Sequence, residues 1–220
     1  MAAGSRNNRE VTPEDRRAFV TQHTTLRCPE VVPEVRLHLV EDLVALWKVS
    51  GEDDPPPFWA VAWLGGQALA RYLLDHPDEV RGRRVLDLGS GSGLVAIAAR
   101  LAGAADVVAV DIDPFCAAAI ELNAACNGVV VDVVIDDLLR RNPPDVDVVL
   151  AGDVWYERDM AAQVMAWLAR SPARVLLGDP GRAYLPREGW TELAAYDVPT
   201  TRDLEGVESK RVRVFSPSAR

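Results

Sequence analysis

The sequence VLDLGSGSG, Val85 to Gly93, constrains this chain more than any other stretch: an apolar strand runs straight into three glycines at alternate positions. The apolar LVAIAARLA that follows has the character of a helix, so the segment is the first half of a βαβ unit. Its loop leaves backbone N–H groups open to a ligand.

Spacing and one charge narrow the choice of ligand. A dinucleotide fingerprint, GxGxxG, needs its third glycine at position 94, but Leu94 stands there and the glycine comes one early, at Gly93. No GK[ST] follows, which removes a phosphate-cradling P-loop. Asp87, two residues before the first glycine, would repel a pyrophosphate and attract a cationic amino group. The combination points to S-adenosylmethionine, with Asp87, Gly89, Ser90, Gly91 and Gly93 as its cradle. A second strand, Asp106 to Asp113, carries Asp111 where an acid can take both ribose hydroxyls, and Ile112 beside it would lie against the adenine. A third strand, Val129 to Ile135, ends in Asp136 and Asp137, either of which could accept from the adenine amino group. Simpler roles stay open: Asp111 as a strand-end cap, Asp136 or Asp137 as a helix N-cap.

At 220 residues, a single domain is expected, with residues 1–50 a helical flank and 51–220 the core. No run approaches the roughly 20 apolar residues of a membrane span. A net charge of -9 with two lysines, Lys48 and Lys210, disfavours a sequence-independent grip on nucleic acid. Cys28, Cys116 and Cys126 form no CxxC pair, and His23, His38 and His76 have no ligand spacing. The expectations are buried thiols, no disulfide and no metal. The start of the chain, with Glu10, Glu14 and Asp15 and no apolar h-region, suggests neither signal nor transit peptide, hence a cytoplasmic protein.

Residues 1 to about 12 read as frayed. Thr12-Pro13-Glu14 opens one helix and Pro33-Glu34 a second, running through VRLHLVEDLVALWKV with Val35, Leu39, Leu43, Leu46 and Trp47 near helical spacing. GEDDPPP, Gly51 to Pro57, is a breaker-rich loop, and a helix starts near Gly65 or Gly66 behind Phe58, Trp59 and Trp63. These rings are either core plugs or pocket walls. Pro114 to Cys126 is another helix. NPPD, Asn142 to Asp145, precedes a fourth strand at Asp147 to Ala151 and reads as a turn. Beyond that strand, Gly152-Asp153-Val154-Trp155-Tyr156-Glu157 should face the reacting methyl group, because ligands in open α/β sheets lie past the strands' carboxyl ends. A fifth strand, Arg174 to Leu177, ends in GDPGR, and two strands near Glu192 to Val198 and Lys210 to Phe215 close the sheet as an antiparallel pair.

From about Phe19 onward the chain resembles the seven-β-strand methyltransferases and, within them, the electron transfer flavoprotein β-subunit lysine methyltransferases. The resemblance rests on PPFWAVAWLGGQALARYLLDHPDEVRGRRVLDLGSGSG (Pro56 to Gly93), DIDP (Asp111 to Pro114), GDVWYERD (Gly152 to Asp159) and LLGDPGR (Leu176 to Arg182). It implies an α/β, Rossmann-like sheet of strand order 3-2-1-4-5-7-6 with N-terminal helices, S-adenosylmethionine as donor, and a protein lysine, foremost that of the flavoprotein subunit, as acceptor. Leu64 stands where the pattern has proline, and Val154-Trp155 replaces Met-Phe. Both departures fall on the acceptor side.

In that framework Asp153 would recruit the lysine ammonium, with Tyr156 and Glu157 beside it as further catalytic candidates. Trp63 would line the donor site, and Trp59 and Trp155 the substrate slot. A small-molecule N- or O-methyltransferase is the alternative, since a fold does not fix the acceptor. A non-catalytic module that docks on the flavoprotein is a further one.

Overall fold

The computed structural model describes residues 11–50, 55–186, 188–201 and 205–218. The frayed start expected for residues 1–10 and the first part of the GEDDPPP loop lie outside them. Helix α1 (Pro13–His23) begins at a capping box: the Thr12 hydroxyl accepts from the Asp15 N–H, and the Asp15 carboxylate accepts from the Thr12 N–H.

The long second helix expected from Pro33 is not formed. Strands β1 (Thr25–Arg27) and β2 (Leu37–Leu39) pair antiparallel, and helix α2 is only Leu43–Ser50, its start capped by Asp42. Val35 and Leu37 are both fully buried, a period of two rather than 3.6. The backbone between them is held from outside the segment: Arg36 N–H donates to Asn127 Oδ1 at 2.9 Å and His38 N–H to Asn123 Oδ1 at 2.7 Å. Long-range amides thus outcompete a helical pattern that the local sequence also supports.

Past a short 3-10 turn at Phe58–Ala60 come α3 (Leu64–Asp75), β3 (Arg84–Leu88), α4 (Leu94–Leu101), β4 (Asp106–Asp111), α5 (Pro114–Cys126) and β5 (Asp132–Ile135). Then follow β6 (Val148–Gly152), α6 (Arg158–Leu168), β7 (Arg174–Asp179), β8 (Trp190–Pro199) and β9 (Ser209–Pro217). The main sheet runs β5-β4-β3-β6-β7-β9-β8, with β3 to β7 mutually parallel and β9 antiparallel to both neighbours. Counted from β3, this is the expected order 3-2-1-4-5-7-6.

Both faces of the sheet are covered, which is why β3 and β6 are nearly continuous apolar runs. Val85, Val148 and Leu150 pack with α3, α4 and α5, and the intervening Leu86, Val149 and Ala151 pack with α6. Among the cysteines only Cys116 is buried; Cys28 is exposed and Cys126 half-buried, and all three thiols are free.

The start of α3 lies against the carboxyl ends of β6 and β7 with no side chains between. A Cβ on Gly65 would overlap the Gly178 carbonyl, and one on Gly152 would sit 2.7 Å from the Gly66 nitrogen. Gly152 and Gly178 are register partners across the two strands. Glycines on both sides therefore bring a helix N-terminus directly onto the edge where open α/β sheets bind ligands.

Candidate active site

The donor half is assembled locally at the ends of β3 and β4. Gly89, Gly91 and Gly93 all have positive φ (70°, 51° and 79°), a conformation costly for other residues. Gly93 also meets Ile120 so closely that a Cβ would lie 3.0 Å from it. The loop is latched to β4 by Gly89 N–H and Ser90 N–H, both donating to the Val110 carbonyl, and by Gly91 N–H donating to Asp111 Oδ2 at 2.9 Å.

Beneath the loop Asp87 is buried, accepting from Ala96 N–H at 3.1 Å. Burial, opposed by bonds from Ser90 and Ala96, pushes its pKa up to about 7. A buried acid that ionises near neutrality can strengthen its hold on an incoming cation by giving up a proton. Asp111 Oδ1 accepts from Ile112 N–H and Asp113 N–H, and Ile112 itself is 72% exposed, an apolar face with nothing upon it.

Of the two acids after β5, Asp137 performs the capping role left open above. It accepts from Leu139 N–H and pairs with Arg140, so its carboxylate is committed locally. Asp136 stays beside Asp111, its N–H donating to the Asp111 carbonyl at 2.9 Å, while its carboxylate pairs with Arg141.

The acceptor half is assembled from distant parts of the chain. Asp153 has φ 78°, the one positive value outside glycine among the described residues. Both of its carboxylate oxygens have partners. Oδ2 accepts from Gly65 N–H and Gly66 N–H at the start of α3, and Oδ1 accepts from Arg182 Nε and Nη2 at 3.0 and 2.8 Å. Burial raises its pKa to about 6, with Arg182 pulling the other way. Arg182 also pairs with Glu205, which pairs with Lys210.

Two of the expected slot rings are core. Trp59 stacks on Phe115 with centroids 5.9 Å apart, and Trp155 is 0% exposed, packed edge-on to Trp190. Neither reaches a docked substrate, because each lies under the helices or strands that cover the sheet. The rings that do face outward are Phe58, Trp63 and Tyr156. Phe58 sits between the others, 5.6 Å from Trp63 and 5.8 Å from Tyr156, and Trp63 Nε1 donates to the Phe58 carbonyl. Tyr156 is 50% exposed, and the Asp111 charge is among the causes raising its pKa, behind burial and Glu157. The aromatic wall therefore stands beside the donor half. Glu157 is exposed at the start of α6.

A family model described as ribosomal protein L11 methyltransferase (PrmA) matches residues 67–154. Electron transfer flavoprotein beta subunit lysine methyltransferases match far more of the chain. That of Rattus norvegicus is 36% identical over 215 residues, 91% of this chain and 84% of the relative. That of Xenopus laevis is 40% identical over 195 residues, covering 83% and 79%. The chain belongs to this family.

It is accordingly an S-adenosylmethionine-dependent methyltransferase. Solved methyltransferases share the fold. A magnesium protoporphyrin IX methyltransferase from Synechocystis PCC 6803 with bound SAM has a TM-score of 0.52 at 19% identity, over 70% of this chain and 78% of that one. A putative RNA methyltransferase from Pyrococcus horikoshii has the same score at 18% identity, over 70% and 84%.

Sequence reasoning missed Arg182 and Glu205 as partners in the Asp153 network, and left Phe58 open as a core plug or a pocket wall. One signal was present for Arg182: Gly-Asp occurs at the ends of two strands, Gly152-Asp153 and Gly178-Asp179, and in the second it leads directly into the arginine.

Proposed function

We propose that this methyltransferase transfers methyl groups to a lysine of a protein, and that the protein is the electron transfer flavoprotein β-subunit. Identity of 36 to 40% to flavoprotein methyltransferases over most of the chain supports this. The geometric support is an open edge: Phe58, Ile112 and Tyr156 are all exposed large apolar groups on one rim. A rim of that kind admits a side chain presented by a folded protein, whereas a small free substrate would favour a closed cavity.

When bound, S-adenosylmethionine supplies a methyl group already activated by its sulfonium, so the protein's task is alignment and delivery of a neutral amine. From a lysine pKa near 10.4, deprotonation at pH 7 costs about 4 to 5 kcal/mol. Two opposing fields manage that cost. Asp153, behind the wall, attracts the ammonium; the apolar faces of Phe58, Trp63 and Tyr156 disfavour the charged form once it is desolvated. The same rings can hold the arriving ammonium by cation–π contact, worth about 0.5 to 2 kcal/mol. Tyr156 is then the residue nearest the reacting amine, with Glu157 contributing charge at its edge. The reading includes a cytoplasmic protein without a nucleic-acid partner, supported by the net charge of -9. Among the described residues no helix is long and apolar enough to cross a membrane.

The test is incubation with methyl-labelled S-adenosylmethionine and purified electron transfer flavoprotein, followed by mass spectrometry. Label on a β-subunit lysine is expected. Label confined to small molecules of a metabolite extract would replace the acceptor class, and transfer to nothing at all would leave a binding module.

A further inference from the structure

Asp153 is held by two groups far from it in sequence, and one of them does no work in the reading above. Arg182 reaches Asp153 across 29 positions and donates twice to a single oxygen, Oδ1. The arginine is prepared for this. The turn that presents it is fixed by Asp179, whose Oδ1 accepts from Gly181 N–H at 2.6 Å and from the Arg182 N–H at 2.7 Å. Its far side is occupied by Glu205, 2.8 Å from Nη2, and Glu205 is in turn paired with Lys210 at 3.0 Å. Glu205 lies between β8 and β9, so a residue far along the chain is fastened to the end of β6.

We infer that Arg182 is a positioning residue of the acceptor half: it fixes the orientation and the charge of Asp153, and through it Glu205, ahead of β9, becomes part of the lysine-receiving site. The inference rests on the reading that Asp153 faces the acceptor.

Charge balance carries the argument. Around Asp153 stand Asp179 on β7, Arg182 on the turn after it, Glu205 ahead of β9 and Lys210 on β9, with the uncharged N–H groups of Gly65 and Gly66 on α3. That is three acids against two bases. Asp179 is 1% exposed and its Oδ2 has no partner, so the acid in excess is already inside the protein. Burial pushes the carboxyls of both Asp153 and Asp179 upward; Arg182 opposes this for each, and at Asp179 the backbone N–H groups of Arg182 and Gly181 and the Lys210 charge oppose it too. Without Arg182, Asp153 and Asp179 would face each other with only Lys210 as counter-charge, and both would hold their protons more tightly. A protonated Asp153 loses the negative charge that draws an ammonium and accepts more weakly from α3.

Geometry also separates arginine from lysine at this position. The planar fork meets Asp153 through Nε and Nη2 while Nη2 serves Glu205 as well; an ammonium carries the charge but cannot reproduce both directions.

The full-length enzyme, its Arg182→Gln, Arg182→Lys and Glu205→Gln variants, and Asp153→Asn are compared for methyl transfer to purified electron transfer flavoprotein between about pH 5.5 and 8.5, with donor affinity from calorimetry. In Arg182→Gln the acidic limb of kcat/KM is expected to move up by about one pH unit or more. Its kcat/KM at pH 7 is expected to fall about tenfold or more, chiefly through KM, with donor affinity within about twofold. Arg182→Lys should leave the acidic limb near its parent position yet keep a raised KM. Glu205→Gln should raise KM by about three- to fivefold without moving the limb. An unmoved limb in Arg182→Gln overturns the inference, and so does a lowered KM, which would make the arginine an internal competitor of the substrate. Should that variant fail to fold, unchanged KM in both Arg182→Lys and Glu205→Gln overturns it equally. Full activity of Asp153→Asn would instead remove the underlying reading of Asp153, independently of what Arg182 does.

Discussion

The two halves of the active-site edge are built by opposite strategies. At the ends of β3 and β4, the donor half closes within one stretch of chain: Asp87 bonds to Ala96 across 9 positions and Gly91 to Asp111 across 20. At the ends of β6 and β7, Asp153 depends on Gly65 and Gly66, 88 and 87 positions upstream, on Arg182, and beyond it on Glu205. A local site tolerates change elsewhere in the fold. A distributed site transmits it, so acceptor recognition is the property more exposed to distant substitutions.

The sharpest way to break this contrast is at the close packing of α3. Gly65→Ala is expected to destabilise by about 3 kcal/mol or more, because the new Cβ collides with the Gly178 backbone and with the bonded Asp153 carboxylate. Thermal denaturation should show a fall of about 6 to 12 °C. Gly66→Ala one position later meets only Val95 at 3.7 Å and should change stability by less than about 1 kcal/mol. Equal tolerance at both positions would mean that the helix is not pinned to the strands.

A smaller effect is expected at Asp87. Its pKa is raised from 3.8 to about 7, so its contribution to stability is present below about pH 4 and is lost as pH rises through about 7. Asp87→Asn should therefore stabilise the ligand-free protein at pH 8 while weakening donor affinity by about tenfold or more. In the parent, donor affinity should rise with pH up to about 7 and proton release should accompany binding, both readable by calorimetry in buffers of different ionisation enthalpy. Affinity flat with pH would detach the acid from the donor. Smallest of all, Ile112→Ala should leave the melting temperature unchanged, given its exposure, and cost donor affinity about three- to tenfold through lost apolar contact.

The same contrast explains what the sequence disclosed. The donor loop, Asp111 and the strand order were legible because contiguous residues carry them: glycine spacing, β-branched runs and strand-end acids. Asp153 and Tyr156 were proposed by place, since residues after the fourth strand of such a sheet face the ligand. What Asp153 bonds to was not, because neither Gly65 nor Arg182 is near it in sequence. Trp155 and Tyr156 illustrate a finer limit. Adjacent residues past a strand end point to opposite sides, one into the core and one to solvent, and composition does not say which. The segment from Pro33 failed for the same reason as the acceptor half: Asn123 and Asn127 decide its conformation from α5.

The placement of β9 has a further consequence for how the molecule comes into being. β8 touches the remainder of the main sheet only by way of β9, which is inserted between it and β7. Until residues 209–217 have been made, the outer side of β7 has no strand neighbour and β8 has no strand to pair with. The antiparallel β8–β9 pair can then add to β7 as a unit, and the same event carries Glu205 toward Arg182. Competence to receive a lysine would be acquired in that closing step, after the nucleotide-binding end has been assembled.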